Sequence, residues 1–351
     1  MSVSKEAFSL PDLGRLANGL SIQPCDIQRC KALLLVGSYA EGLSTRTSDL
    51  DFIVLTNESV TSWGEDEEFR VCQIDGRRIE VLVLNYAGIS KIFGICDAEN
   101  YNLYSLRKLE FIHRLLNGIP LHGREYHDSL IAGRKKSFQR RMADFYIKAG
   151  ENIFEDIVGC KASGDLLTLT MQTRELARFS FDALLATEGD TYPKVKWRAR
   201  RIARVFEARP DVVESYLDVE FRVPFDSEST IETWCRHVMA LVAQNQLELY
   251  FGVKSRLSFE ELQRRPEWFD GYIFRHLGRF YIRTEQSLRE VNDIAVACML
   301  LLAAKTPLNE LRSEMESLCS ASGITVPRRD VVADIVSKLK EQNVYGKGGS
   351  E

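Results

Sequence analysis

The eight cysteines of this chain, at positions 25, 30, 72, 96, 160, 235, 298 and 319, include no Cys-x-x-Cys pair. That scatter argues against a structural zinc site and reads as reduced thiols, mostly in the core, of a cytoplasmic protein. The five histidines, at 113, 122, 127, 237 and 276, also lack ligand spacing, and no role is assigned to them. No run of about 18 apolar residues occurs, so no membrane-spanning helix is expected. Met1 to Leu20 shows no cationic segment leading into a continuous apolar stretch, which sets aside a signal peptide. An excess of positive charge is missing too. Lys and Arg number 46 against 50 Asp and Glu, a net charge of −4, so non-specific nucleic-acid binding is not expected. There is no internal repeat and no low-complexity block, although the tail from Gly346 to Glu351 is too Gly-rich to order.

The 351 residues suffice for two or three domains. Residues 1 to about 30 carry one short amphipathic segment. Lys31 to Val36 and Asp49 to Leu55 are strand candidates, joined through Gly37, Gly42 and the cluster Ser44-Thr45-Arg46-Thr47-Ser48. Phe69 to Ile74 and Arg77 to Leu84 are two more, with Asp75-Gly76 between them as a two-residue hairpin signal. Asp66, Glu67 and Glu68 read as a solvated loop. From Leu103 the period becomes helical through Leu106, Leu109, Ile112, Leu115 and Leu116. That helix stops at Asn117-Gly118, with Pro120 behind it. Residues 124 to about 250 read as a bundle of four or five helices, broken at Gly164, at Gly189 with Pro193, and at Pro210. After Phe251-Gly252 come two short strands, 280–283 and 287–291, and then helices over 294–304, 308–317 and 330–342. The expected class is α+β: a small mixed sheet (1–120), a helical bundle (121–252) and a C-terminal winged-helix-like domain (253–351).

Sixteen residues, Gly37 to Phe52, carry most of the chemistry. Asp49 and Asp51, at i and i+2 on a strand, point to one face. Like charges this close call for a cation between them. Carboxylate oxygens suit magnesium, which binds through one or two carboxylates plus substrate phosphates. Gly37 allows the backbone near a phosphate, and Ser38 offers a hydroxyl and an N–H. Glu80 is an acid in an otherwise apolar strand, where a charge is costly unless paired or metal-bound. It is a candidate metal ligand or general base, or else an edge-strand Glu paired with Arg78. Basic clusters at Arg134-Lys135-Lys136, at Arg140-Arg141 and at Arg198, Arg200, Arg201 and Arg204 are either solvated faces or the lining of an anionic pocket.

The pattern Gly37-Ser38 followed by Asp49-x-Asp51 resembles the signature of the nucleotidyltransferase (polymerase-beta-like) superfamily, with Glu41 where that family commonly has Arg. Ile79-Glu80-Val81 is similar to the Leu-Glu-Val strand of aminoglycoside-type adenylyltransferases, and Tyr192-Pro193-Lys194-Val195-Lys196-Trp197 resembles a Tyr-Pro-x-x-Lys-Trp segment of their helical domains. The resemblance implies transfer of a nucleoside monophosphate, AMP from ATP, to a hydroxyl with release of pyrophosphate. Asp49, Asp51 and Glu80 would be the catalytic and Mg2+-binding residues. Gly37, Ser38, Ser48 and Lys196 (Lys194 second) would bind the nucleotide. The C-terminal region resembles the peptide-recognition domain of ribosomal-peptide maturation enzymes, which implies a leader-peptide partner. The acceptor expected is therefore a small molecule or peptide. A protein or tRNA acceptor of the antitoxin kind and a non-catalytic nucleotide-binding protein are the alternatives; neither membrane nor nucleic acid is an expected partner.

Overall fold

The computed structural model describes residues 30–57, 67–74, 76–85, 88–90, 93, 106–223, 227–265 and 267–347. The amphipathic segment before residue 30, Asp66, Asp75 and the Gly-rich tail from residue 348 lie outside them. The chain divides into two compact units. One holds residues 1–138 with 192–194; the other holds 139–191 and 195–351.

The first unit is built on five strands: β1 (Ala32–Val36), β2 (Leu50–Thr56), β3 (Glu67–Ile74), β4 (Arg77–Asn85) and β5 (Ile119–His122), in the order β3-β4-β2-β1-β5. Only the β2–β4 pair is parallel. The two-residue hairpin holds, with Ile74 opposite Arg77 and Gly76 at φ +75°. Side-chain alternation sorts the sheet into two faces. Leu33, Leu35, Leu50, Phe52, Val54, Ile79, Val81 and Val83 form one buried cluster on the first. The opposite face carries the row Val36–Asp51–Glu80–Val71, read directly from the pairing. A four-residue helical turn, α1 (Gly37–Ala40), leaves the end of β1, and α2 (Leu106–Asn117) follows β4. The junction after α2 fits tightly: a Cβ on Gly118 would meet Val36 and Leu34 side chains at 3.1 and 3.2 Å.

Two expectations change here. Glu67 and Glu68 belong to β3 rather than to a loop. Pro120, expected only to stop the helix, lies in the edge strand β5 next to a register shift in its pairing with β1, a position that tolerates proline.

The second unit contains long helices. These are α4 (Arg134–Ser163), most of which lies here, α5 (Leu166–Thr187), and α8 (Glu228–Phe251), with the shorter α6 (Arg198–Val205) and α7 (Pro210–Phe221). (The helix Arg124–Ile131, α3, belongs to the first unit.) Asp165 caps α5 through the Thr168 N–H, and Ser227 with Thr230 forms a capping box on α8. Of the four arginines of α6, Arg200 and Arg204 are exposed and Arg198 and Arg201 are not. Arg198 and Arg201, 2% and 1% exposed, are spent on α5 and the turn after it: Arg198 Nη2 to Asp182 at 2.8 Å, Arg201 Nε to Asp190 at 2.9 Å. Burying such cations is tolerable only because each is paired and hydrogen-bonded.

After α9 (Phe259–Gln263) come β6 (Glu267–Phe269), β7 (Tyr272–His276), β8 (Arg279–Arg283) and β9 (Leu288–Val291). Three helices follow, α10 (Asp293–Ala303), α11 (Leu311–Ser322) and α12 (Arg329–Glu341), and then β10 (Tyr345–Lys347). β7-β8-β9 is an antiparallel sheet, and β10 pairs with β6. Strands β6, β7 and β10 were not expected. One core joins Ala243 and Leu247 of α8 to Phe269, Ile273, Val296 to Ala303 of α10, Met315 and Leu339, so this region is packed on the bundle through α8.

Candidate active site

The site grows from the C-terminal end of β1 and the start of β2. Gly37, at φ +71°, turns the chain from β1 into α1. A Cβ placed there would lie 2.1 Å from Asp51 Oδ2, so the backbone of the Gly-Ser turn runs directly against that carboxylate. Only glycine satisfies both the left-handed conformation and the close approach. Ser38 is buried, and its carbonyl accepts from the Leu43 N–H at 2.9 Å, which closes the turn. Ser48 shapes the other end of the connection: its hydroxyl accepts from the Thr45 N–H at 2.8 Å and sits 3.1 Å from the Thr45 hydroxyl.

Asp51 and Glu80 are in register on the parallel strands β2 and β4 and hydrogen-bond each other. Glu80 sits on an interior strand, 19% exposed, and Arg78 holds its Oε1 at 2.6 Å. The pairing with Arg78 and the position beside Asp51 therefore coexist. Asp49, one residue ahead of β2, acts on Asp51 by charge. Burial first, then the charges and hydrogen bonding of Glu80 and the charge of Asp49, push the Asp51 carboxyl up to about 6, against a pull downward from Arg114. Among the described residues no three His, Cys, Asp or Glu side chains already stand together as a metal cage. The tight element is the Asp51–Glu80 pair, with Asp49 beside it.

Helix α2 supplies the polar wall that sequence reasoning missed. Arg114 Nη1 lies 3.5 Å from Asp51 Oδ1, and its Nη2 bonds Glu110 at 2.7 Å; Glu110 also receives Lys194 Nζ at 2.7 Å. Burial raises the Glu110 carboxyl, but the bonds to Lys194 and Arg114 outweigh it and hold the group below its ordinary value. His113, 3% exposed, meets Glu41 Oε1 at 2.8 Å through Nε2, and its ring lies 5.2 Å from that of Tyr192. Burial raises the Tyr192 phenol, whose electrostatic neighbours include Arg114, Asp51, Glu110 and Glu41. The signal was present in the sequence: Glu110, His113, Arg114 and Asn117 recur at helical spacing, opposite the apolar stripe of the same helix. Of the two lysines, Lys194 joins this network. Lys196 belongs to the second unit, where its ammonium lies 5.3 Å from the centre of the Trp197 ring. Beyond Glu80 the edge strand β3 leaves Phe69 and Val71 exposed on the carboxylate face.

Residues 25–107 match the model of a family described as the nucleotidyltransferase domain. Gly37, Ser38, Asp49, Asp51 and Glu80 all fall inside the matched span. The match supports the nucleotidyltransferase superfamily and a transferase activity. A solved structure of a nucleotidyltransferase-like protein from Exiguobacterium sibiricum 255-15 is 12% identical. It covers 71% of this chain and 83% of its own, with a TM-score of 0.38. No curated protein matches the chain. Among the described residues no helix is long and apolar enough to cross a membrane.

Proposed function

We propose that the chain is a magnesium-dependent nucleotidyltransferase that moves a nucleoside monophosphate, AMP from ATP, onto a hydroxyl of a small molecule or peptide and releases pyrophosphate. The observation that carries this reading is the in-register Asp51–Glu80 pair set against the Gly37 turn. Two carboxyl groups this close, one of them pushed up by burial and by the other's charge, suit a divalent cation between them. Asp51 and Glu80, with Asp49, would hold Mg2+, which when bound supplies positive charge at the phosphoryl oxygens.

The remaining steps belong to the chain's own side chains. The Gly37–Ser38 turn, whose leading N–H groups carry no side-chain cap, faces the polyphosphate; Ser48 holds the connection in shape. Lys194 and Arg114 offset phosphate charge. Glu80 takes the proton from the acceptor hydroxyl as that oxygen attacks the α-phosphorus, and pyrophosphate leaves in line. A single-turnover assay with radiolabelled ATP, Mg2+ and candidate acceptors tests the reading. Glu80→Gln is expected to lower transfer about a thousandfold while ATP still binds; undiminished transfer would remove Glu80 from the mechanism.

The two lysines give a second test. Lys194→Ala is expected to raise the KM for ATP about tenfold, because it removes a cation and frees Glu110 to draw on Arg114. Lys196→Ala, losing only an exposed contact with Trp197, is expected to change KM less than about twofold. Steady-state kinetics on both variants decide; the opposite order would restore Lys196 as the triphosphate contact.

A peptide acceptor is favoured by one feature of the second unit. Strand β9 is an edge of the β7-β8-β9 sheet, with Leu288, Arg289 and Glu290 exposed, and three helices follow it. An edge strand of this kind can accept an extended peptide as a fourth strand.

A further inference from the structure

The second unit has a partly open cavity of about 60 Å³ between α4, α5, α8, β6–β7 and α10. Its apolar surface includes Leu169, Ala243, Ile273 and Leu300, all buried. Into the same cavity come groups that an apolar core does not tolerate without a partner. Lys305, 3% exposed, sits at the end of α10 in a left-handed conformation (φ +64°). Its ammonium donates to the Leu262 carbonyl at 3.0 Å and the Arg265 carbonyl at 2.7 Å; an ammonium has three donors. Among the described residues no carboxylate lies within ion-pair distance of it. Burial, with the charges of Arg236 and Arg265 set against Glu267 alone, brings its pKa down to about 8, so it still carries charge at neutral pH. Arg236 also lines the cavity and is 43% exposed; among the described residues its ion pair is with Glu232 at 3.5 Å. Thr173, fully buried on the cavity wall, has a hydroxyl whose one neighbouring polar group among the described residues is the weakly hydrogen-bonding Cys235 thiol.

We propose that this cavity is a binding site for a small carboxylate with a short branched aliphatic tail, independent of the nucleotidyl-transfer site. The carboxylate would lie between Lys305 and Arg236 and accept from the Thr173 hydroxyl, and the tail would fill the space bounded by Leu169, Ala243, Ile273 and Leu300. Glu232, Glu267 and Asp270 also line the cavity, but Glu232 pairs with Arg236, Asp270 pairs with Lys161, and none is within ion-pair distance of Lys305; a buried cation without a paired anion is costly, and an anion supplied by a ligand removes that cost. The volume sets the scale: at about 10–15 Å³ of such space per water it has room for about four to six waters, the size of a short branched carboxylate.

The test uses the full chain and 3-methylbutanoate as probe, read by saturation-transfer NMR and by thermal midpoint. The carboxylate is expected to receive saturation and raise the midpoint. The isosteric neutral 3-methylbutanamide and inorganic phosphate are expected to do neither. Arg236→Met, a surface change that keeps the cavity, is expected to weaken binding about tenfold, and Thr173→Val about threefold. Equal binding of the amide would make the cavity a mere apolar hole. Equal binding of phosphate would make it a plain anion site. Absence of any probe binding at millimolar concentration, or indifference to Arg236→Met, overturns the proposal.

Discussion

Asp51→Asn is expected to abolish transfer, by about a thousandfold or more, and at the same time to make the protein more stable at pH 7. The two effects have one cause. In the folded chain the Asp51 carboxyl titrates at about 6, against 3.8 without the fold, because burial and the Glu80 charge oppose its ionisation. At about 1.4 kcal/mol per tenfold, that difference amounts to roughly 3 kcal/mol. Because the folded value lies above the unfolded one, this group's contribution to stability is complete below about pH 3.8. It is lost as the pH rises through about 6. The asparagine side chain has the same shape, never ionises, and can donate to Glu80. Wild type and variant should therefore have similar stability near pH 4, and should separate by about 1–3 kcal/mol at pH 7 in urea unfolding. Added Mg2+ is expected to narrow the gap, since a cation between Asp51 and Glu80 favours the ionised form and stabilises the wild type selectively. A variant less stable than wild type at pH 7 would show that the Asp51 charge is well accommodated, and the strained carboxylate pair would no longer stand.

Much of this site could be read from the chain because its informative residues are local. The run Ala32 to Val36, the Gly-Ser pair and Asp49-x-Asp51 lie within twenty residues; strand alternation puts both aspartates on one face as an expectation, and the structure starts β2 at Leu50, one residue after Asp49. Asp75-Gly76 fixed the β3–β4 hairpin for the same reason. What stayed hidden depends on long-range pairing. Nothing local states that β4 lies parallel to β2, yet that register is what puts Glu80 opposite Asp51. Lys194 was ranked behind Lys196 because its partner, Glu110, lies 84 residues away. The burial of Arg198 and Arg201 could not be told from the exposure of Arg200 because a charged helix gives no sign of buried aspartates on the preceding helix and the turn after it. Strands β6 and β7 were missed because Asp270-Gly271 splits an aromatic run into pieces too short to show a period.

Gly37→Ala should separate conformational cost from chemical cost when set beside Gly42→Ala. Both glycines have left-handed backbones, at φ +71° and +66°. An alanine in that region costs about 1–2 kcal/mol at either place. Their surroundings differ completely. Nothing lies within 4 Å of a Cβ at Gly42, whereas one at Gly37 would meet Asp51 Oδ2 at 2.1 Å, Cγ at 2.8 Å and Cβ at 3.1 Å. Gly42→Ala is accordingly expected to lose only that backbone cost and to keep kcat within about twofold. In Gly37→Ala the methyl group must drive the Asp51 carboxylate away from Glu80, or push the turn off the end of β1. A displacement near 1 Å at a reacting centre costs on the order of a hundredfold in rate. The Gly37 variant should therefore lose about a hundredfold in kcat beyond its loss of stability, and its pH dependence of stability between pH 4 and 7 should flatten as the carboxyl groups part. Equal behaviour of the two variants in kinetics and in urea unfolding would mean that the turn and the carboxylate do not work as one unit.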